Sequence, residues 1–232
     1  MSNAQAVNEM FGQIATRYDF ANHLLSGGFD YYWRYKLVSF VKKHNPSCIV
    51  DLATGSGDVA FALKKALGKK TQVIGLDFCR PMLELAQSKK AKYNYGKDLI
   101  FDYGDCLELP LADQSVDVLT IAFGFRNLQD RHKGLEEMYR VLKRGGALFI
   151  LEFTQPIFCF RTLYYFYLKN ILPRLANLIT GRQDAYNYLA DSIKKFPNKE
   201  TLKIEISKVG FTHIEAYSMT ASIVAIHSAI KS

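Results

Sequence analysis

Short apolar runs recur along the chain, and each is followed by a stretch whose apolar residues fall three or four positions apart. The first run, Cys48-Ile49-Val50-Asp51-Leu52, passes through a glycine turn into a helix over residues 58–67. Val73-Ile74-Gly75-Leu76-Asp77 reads as the second strand. Arg80-Pro81-Met82 then opens a helix, with proline tolerated in the first turn. Ile100-Phe101-Asp102-Tyr103 and residues 116–122 are the third and fourth strands. A helix over 130–142, a tight Arg144-Gly145-Gly146 turn and a fifth strand over 147–153 complete the series. Strand and helix alternating in this way predict an α/β fold, a mostly parallel sheet with helices on both faces.

Two stretches depart from the rhythm. Ahead of the sheet, Val7, Met10, Phe11 and Ile14 share one helical face, and a polar-aromatic loop occupies residues 18–28. A helix over 30–44 turns Trp33, Leu37, Val38 and Val41 inward and stops at Asn45-Pro46, because proline disfavours helix in the residue before it. After the fifth strand, residues 158–178 have helical length but crowd Phe158, Phe160, Tyr164, Tyr165, Phe166 and Tyr167 together. Arg161, Lys169, Arg174 and Arg182 punctuate that stretch. A helix over 199–209 and strands over 212–217 and 222–229 then bring the sheet to seven strands. The pattern predicts one domain over 1–232, with a helical cap (1–46) and a helical insertion (155–198).

The stretch after the first strand carries the chemistry. Gly55 and Gly57 allow a tight turn and close approach of backbone to a ligand, because glycine has no Cβ to clash. A strand feeding such a turn into a helix is a common nucleotide-binding start, and Gly55-Ser56-Gly57-Asp58-Val59-Ala60 also fits a relaxed dinucleotide fingerprint. Asp51 favours a different ligand. A carboxylate there would repel a pyrophosphate and would suit a cationic ammonium such as that of S-adenosylmethionine. Asp77, ending the second strand, is placed for ribose hydroxyls in either class. Asp105, after the third strand, is a turn residue that can also accept from an adenine amine, with the Cys106 backbone amide at the ring edge. Acids at the ends of three adjacent strands describe one crevice.

Composition changes this picture little. The chain has 232 residues, 49% hydrophobic and 22% charged, within the ordinary range for a globular domain. Thirty Lys+Arg against 22 Asp+Glu give a net charge of +8, which favours anionic partners or simply solubility. Cys48, Cys79, Cys106 and Cys159 lack paired spacing, so neither zinc nor disulfides are expected and a reducing cytoplasm fits. The first residues show no secretory pattern, and no apolar run reaches the ~20 residues of a membrane span. A cytoplasmic protein, free or peripheral at the membrane, is expected.

Longer motifs narrow the class. Tyr18-Asp19-Phe20-Ala21-Asn22-His23-Leu24-Leu25-Ser26-Gly27-Gly28-Phe29-Asp30-Tyr31-Tyr32-Trp33 is one. Arg140-Val141-Leu142-Lys143-Arg144-Gly145-Gly146-Ala147-Leu148-Phe149-Ile150-Leu151-Glu152-Phe153-Thr154 is another. With Ile121-Ala122-Phe123-Gly124-Phe125-Arg126-Asn127 and Arg182-Gln183-Asp184-Ala185-Tyr186-Asn187-Tyr188-Leu189, the chain resembles the menaquinone/ubiquinone biosynthesis C-methyltransferases. These are class I S-adenosylmethionine-dependent enzymes with a Rossmann-like fold. The resemblance runs from Met10 to His227. It departs from the family at Ala21 (usually Met), Asp30 (His), Arg144 (Pro), Thr154 (Ser) and Ala122 (Ser).

The resemblance implies methyl transfer to a ring carbon of a prenylated quinol, demethylmenaquinol to menaquinol, with the 2-polyprenyl-6-methoxy-1,4-benzoquinol of ubiquinone synthesis as the alternative. It places the donor against Asp51, Thr54, Gly55, Gly57, Asp77, Phe78, Asp105, Cys106 and Ala122. Tyr18, Arg126 and Asn127 become the catalytic candidates, with Asp19, Asn22 and His23 on the same loops. Arg126 cannot readily be a base, since its guanidinium stays charged, but it can stabilise a developing phenolate. Histidine as a residue type suits proton transfer, yet a lone loop histidine such as His23 is more often a hydrogen-bonding or capping residue. His227, in an apolar strand, reads as structural. No metal is expected. The aromatic insertion suits an interface with the inner membrane surface, or else a core or homodimer contact. Its aromatics are interleaved with Leu and Ile rather than with basic stripes, which argues against nucleic acid. A non-catalytic S-adenosylmethionine- or quinone-binding protein is the remaining alternative.

Overall fold

The computed structural model describes His23, residues 26–174 and residues 183–232, with the side chains of 183–187 left aside. The expected N-terminal helix, Tyr18, Asp19 and Asn22 lie outside the described residues. The cap helix α1 is Phe29–Lys42. The alternating series follows as β1 (Cys48–Leu52), α2 (Asp58–Leu67), β2 (Gln72–Asp77), α3 (Arg80–Lys90), β3 (Ile100–Tyr103) and β4 (Val116–Ala122). A short 3-10 turn at Phe125–Asn127 leads to α4 (Arg131–Val141) and β5 (Leu142–Phe153). The insertion holds α5 (Phe158–Phe166), a π turn (Tyr167–Ile171) and α6 (Gln183–Lys195). Helix α7 (Lys199–Lys208), β6 (Phe211–Met219) and β7 (Val224–Lys231) close the domain.

The seven strands run in the order β3-β2-β1-β4-β5-β7-β6. The first five pair in parallel, and β7 is antiparallel to both β5 and β6. Successive residues of a strand face opposite sides, and β1 shows it. Ile49 packs into a core with Trp33, Leu37, Val41, Leu63 and Ala86, from α1, α2 and α3. Val50 and Leu52 pack on the other face with Leu135, Met138, Leu202 and Ile206, from α4 and α7. The sheet is thus covered on both faces, as parallel sheets must be.

Two boundaries move from their expected places. Strand β5 begins at Leu142, so the glycines expected to form a separate turn lie within it, with Gly145 in the left-handed region at φ +74°. Strand β7 begins at Val224 instead of residue 222. Thr220, Ala221 and Ser222 all carry positive φ, a left-handed turn before the strand. That turn is held from outside, because the Trp33 indole donates to Thr220 Oγ1 at 2.8 Å and Ile157 N to Ala221 O at 3.1 Å.

The cap is tied down by charge as well as by packing. Arg34 lies 3.2 Å from the Asp30 carboxylate and 2.8 Å from that of Asp58, and Lys89 reaches Asp58 at 2.8 Å. Burial alone would raise the Asp58 carboxyl, but Arg34 and Lys89 hold it below its ordinary value. The chain of contacts links α1, α2 and α3 beside the open end of β1.

Candidate active site

Strand order reverses between β1 and β4, and the crevice beyond their carboxyl ends is where open α/β sheets bind ligands. A cavity of about 580 Å³ opens there. Its polar end is walled by Ala53, Thr54, Gly55, Asp77, Phe78, Asp105 and Cys106, and its apolar end by Leu168, Leu172, Leu189 and Ile193. Trp33, Ala122, Phe123, Arg126, Asn127 and Tyr164 line it as well.

The turn after β1 is built by backbone geometry. Ala53, Gly55 and Gly57 have φ of +47°, +57° and +86°. A Cβ on Gly57 would lie 2.7 Å from the Phe101 ring, so this glycine answers to packing as well as to φ, and it does not line the cavity. A Cβ on Gly124 would lie 2.5 Å from that of Ala53, so only glycine there lets the loops after β1 and β4 meet. Phe123, just before it, is itself left-handed at φ +57°. Such conformations cost free energy and gather where surrounding structure enforces them.

Asp51 does not line the cavity either. It is 1% exposed, and its two oxygens accept from Thr54 Oγ1 at 2.7 Å and Thr120 Oγ1 at 2.6 Å. Burial pushes its carboxyl up to about 6, against the lowering effect of the two hydroxyls and with a further rise from Asp77. The expected direct partner of an ammonium therefore stands one layer behind the wall, with Thr54 between it and the ligand space. Asp77 does reach the cavity. One of its oxygens accepts from Gly55 N at 2.7 Å and the other from Cys79 N at 2.8 Å. Burial raises its carboxyl and these amides only partly offset that. The Phe78 amide is a third backbone donor, and a carboxylate has about four lone-pair sites, so an acceptor site remains for a ligand hydroxyl.

Asp105 builds the turn after β3 and faces the cavity. Its carboxylate accepts from Leu107 N at 2.9 Å, an Asx turn, while the residue also lines the cavity. The Cys106 thiol is pushed up to about 12 by burial and then by Asp77 and Asp105, so it stays protonated and packs as an apolar group. Phe78 and Ala122 line the same wall.

Arg126 is deeply engaged. Its Nη1 meets Glu152 Oε1 at 2.9 Å and the Phe123 carbonyl, its Nε donates to Ser192 Oγ at 3.3 Å, and its backbone N–H to Glu152 Oε2 at 3.1 Å. The two side chains are 3% and 1% exposed. Among the described residues Nη2 takes no hydrogen-bond partner. Asn127 Oδ1 accepts from the Tyr188 hydroxyl at 3.2 Å, which leaves its amide N–H group to donate. His23 is elsewhere: its Nδ1 meets Asp30, its ring stacks on Tyr31 at 4.3 Å, and it does not line the cavity. His227 Nε2 contacts Lys199 O at 3.0 Å on the far side of the sheet from α1, and burial lowers its pKa. No group of three His, Cys, Asp or Glu side chains among the described residues is placed to hold a metal.

Comparison with known proteins decides the class. The model of the ubiE/COQ5 methyltransferase family matches residues 1–231. The chain belongs to that family. Over 228 residues it is 40% identical to the ubiquinone/menaquinone biosynthesis C-methyltransferase UbiE of Geotalea daltonii, covering 98% of this chain and 97% of the relative. Over 219 residues it is 43% identical to the demethylmenaquinone methyltransferase of Thermus thermophilus, covering 94% and 98%. The fold matches that of an S-adenosylmethionine-dependent methyltransferase from Thermotoga maritima, with a TM-score of 0.66 at 19% identity over 97% and 99% of the two chains. As a ubiE/COQ5 methyltransferase the chain is an enzyme that uses S-adenosylmethionine, and the polar end of the cavity fits that donor. Asp77 offers acceptors to a ribose, and Phe78 and Cys106 give apolar walls.

Several residues of this site escaped the sequence. Glu152 carried a usable signal, an acid near the end of an apolar strand, the same one that marked Asp51 and Asp77. Tyr188 stood within a family motif and Tyr164 within the aromatic insertion, but nothing local marked either, or Ser192, as reaching the cavity, because α5 and α6 meet it only through the tertiary fold.

Proposed function

We propose that this enzyme methylates a ring carbon of demethylmenaquinol. The observation that carries the reading is the continuity of one cavity from the polar donor end to an apolar end walled by Leu168, Leu172, Leu189 and Ile193, which suits the start of a prenyl chain. The name of the Thermus thermophilus relative supports the naphthoquinol. That of the Geotalea daltonii relative spans both quinones and keeps the benzoquinol of ubiquinone synthesis as a second reading.

Asp77 would hold the donor's ribose, Asp105 and the Cys106 backbone its adenine edge, and Thr54 with Gly55 its methionine part. Asp51 would stabilise the ammonium through Thr54. When bound, the donor supplies an electrophilic methyl group on a sulfonium. The protein's own task is to make the ring carbon nucleophilic and to hold it in line. Arg126, whose Nη2 has no partner among the described residues, and the Asn127 amide would donate to the quinol oxygen as it gives up its proton, and donors already placed for the developing charge lower the barrier. Tyr18 is the third proposed contact. Each methyl transferred displaces one ring hydrogen, so one proton leaves per turnover. Because Arg126 is locked by Glu152, a water is the proton acceptor that this arrangement leaves open.

We further read α5 as the contact with a lipid surface. None of its residues is buried, Phe158 is 87% exposed, and Leu163 and Phe166 are exposed beside Arg161. The same segment turns Tyr164, Tyr167 and Leu168 to the cavity, so a prenyl chain could pass from bilayer to site along one element. No described helix is long and apolar enough to cross a membrane.

Turnover tests the main reading. The enzyme with S-adenosylmethionine and reduced short-chain demethylmenaquinone should give a product heavier by one methylene in mass spectrometry. Methylation of only the benzoquinol would move the assignment to ubiquinone synthesis, and no methylation of either by donor-binding protein would sink it.

A further inference from the structure

Tyr164 and Tyr188 line the cavity and Tyr165 follows Tyr164 in the chain, and the three hydroxyls differ in what they do. Tyr165 donates to Gln155 and Tyr188 to Asn127. The Tyr164 hydroxyl, buried on the cavity wall, has no hydrogen-bond partner among the described residues. A buried polar group without a partner is uncommon and calls for an explanation. Tyr164 and Arg126 line the same cavity, and Tyr164 lies close enough to Arg126 and Glu152 to feel both charges. Burial holds its phenol well above the ordinary range, which keeps the proton on and makes the group a donor instead of a base. The side chains of Leu168 and Leu172, on the same cavity, can supply no acceptor.

We propose that Tyr164 is a substrate-binding residue whose hydroxyl donates to an oxygen of the quinol ring at the Arg126 end of the cavity. This rests on the quinol reading above. The missing acceptor is then supplied by the substrate, and the enzyme selects for an oxygenated ring by leaving a donor unsatisfied until that ring arrives. A ring without the oxygen is rejected because it leaves the hydroxyl unpaired, the way sites built around a substrate hydroxyl discriminate most strongly.

Tyr164→Phe removes the hydroxyl and keeps the ring. Trp33 is the single tryptophan and lines the same cavity, so its fluorescence reports occupancy. Titration with 1,4-naphthohydroquinone should show binding weakened about tenfold in the variant, while naphthalene binds at least as tightly as before. With reduced demethylmenaquinone kcat/KM should fall roughly 10- to 100-fold, the range for a hydrogen bond to a developing charge. Donor affinity by calorimetry should not change, and the ligand-free variant should melt no lower than the parent. Equal effects on both probes, unchanged affinity for both, or a lowered melting temperature would each overturn the assignment and make Tyr164 a packing residue. If the parent enzyme turned over no quinol while the oxygen-dependent loss in the Trp33 titration held, the function reading would fall and the role of the hydroxyl would stand.

Discussion

Asp51 is an acid placed where its charge is disfavoured. In an unfolded chain its carboxyl loses the proton near 3.8, but in the folded protein near about 6. Between those values the folded state holds a proton that the unfolded state has released, so stability falls as pH rises through the window. Above about pH 6 the full penalty is present, on the order of 3 kcal/mol. Asp51→Asn should therefore stabilise the ligand-free enzyme at pH 7.5 and flatten the slope of stability between about pH 4 and 6, with the two proteins converging below it. Denaturant melts across that range measure both. An unaltered slope would mean that Asp51 is not the group responsible. The same variant should weaken S-adenosylmethionine binding in calorimetry, since an ionised carboxyl behind Thr54 stabilises the ligand's ammonium. Stability given up for affinity is a familiar pattern at binding sites. The acid was legible in the sequence because it ends an apolar run. Its two threonine partners were not: Thr120 lies 69 residues away and meets it only through the pairing of β1 with β4. The left-handed backbone at Ala53 and Phe123 was also hidden, because no glycine marks either position.

Among the elements, α5 has the least reason to sit where it does unless something covers it. Phe158, Leu163 and Phe166 are 87%, 65% and 56% exposed. Side chains like these gain roughly 1.5–3 kcal/mol each on full burial in an apolar phase. A basic side chain near an anionic surface adds about 1 kcal/mol. Replacing all three apolar residues with serine should abolish co-sedimentation with vesicles containing anionic lipid, and should leave the melting temperature nearly unchanged because nothing packed is lost. Turnover of a long-chain quinol in vesicles should fall further than turnover of a short-chain quinol in solution. Failure of the parent enzyme to sediment would remove the lipid reading. Concentration-dependent dimers lost in the triple variant would put a second copy on this face. The length and aromatic content of the insertion were plain from sequence. Which side of it faces the cavity was not, because the π turn at Tyr167–Ile171 shifts the helical phase between the exposed aromatics and the buried Leu168 and Leu172.

At the scale of the whole molecule the donor site is assembled from both halves of the chain. The loops after β1, β2 and β3 supply its polar end, the π turn after α5 and helix α6 its apolar end, and α1 closes over it through Trp33 and Arg34. The parallel sheet and its helices were legible as a rhythm, but the strand order that brings β1 beside β4 was not, since nothing local encodes it. The contacts between cap and sheet bear on cooperativity. Trp33 packs in the same apolar cluster as Ile49, Val73 and Phe149 and donates its indole proton to Thr220, 187 residues away. The cap and sheet should therefore melt as one unit. S-adenosylhomocysteine at 100 times its dissociation constant should stabilise that unit by about 2.7 kcal/mol. For a chain of 232 residues this is a rise of roughly 5 °C in Tm. Trp33 fluorescence, which follows the cap, and far-ultraviolet circular dichroism, which follows the sheet and helices, should shift together. A Trp33 transition that comes first and ignores the ligand would show that the cap unfolds by itself, and that the crevice binds the donor without it.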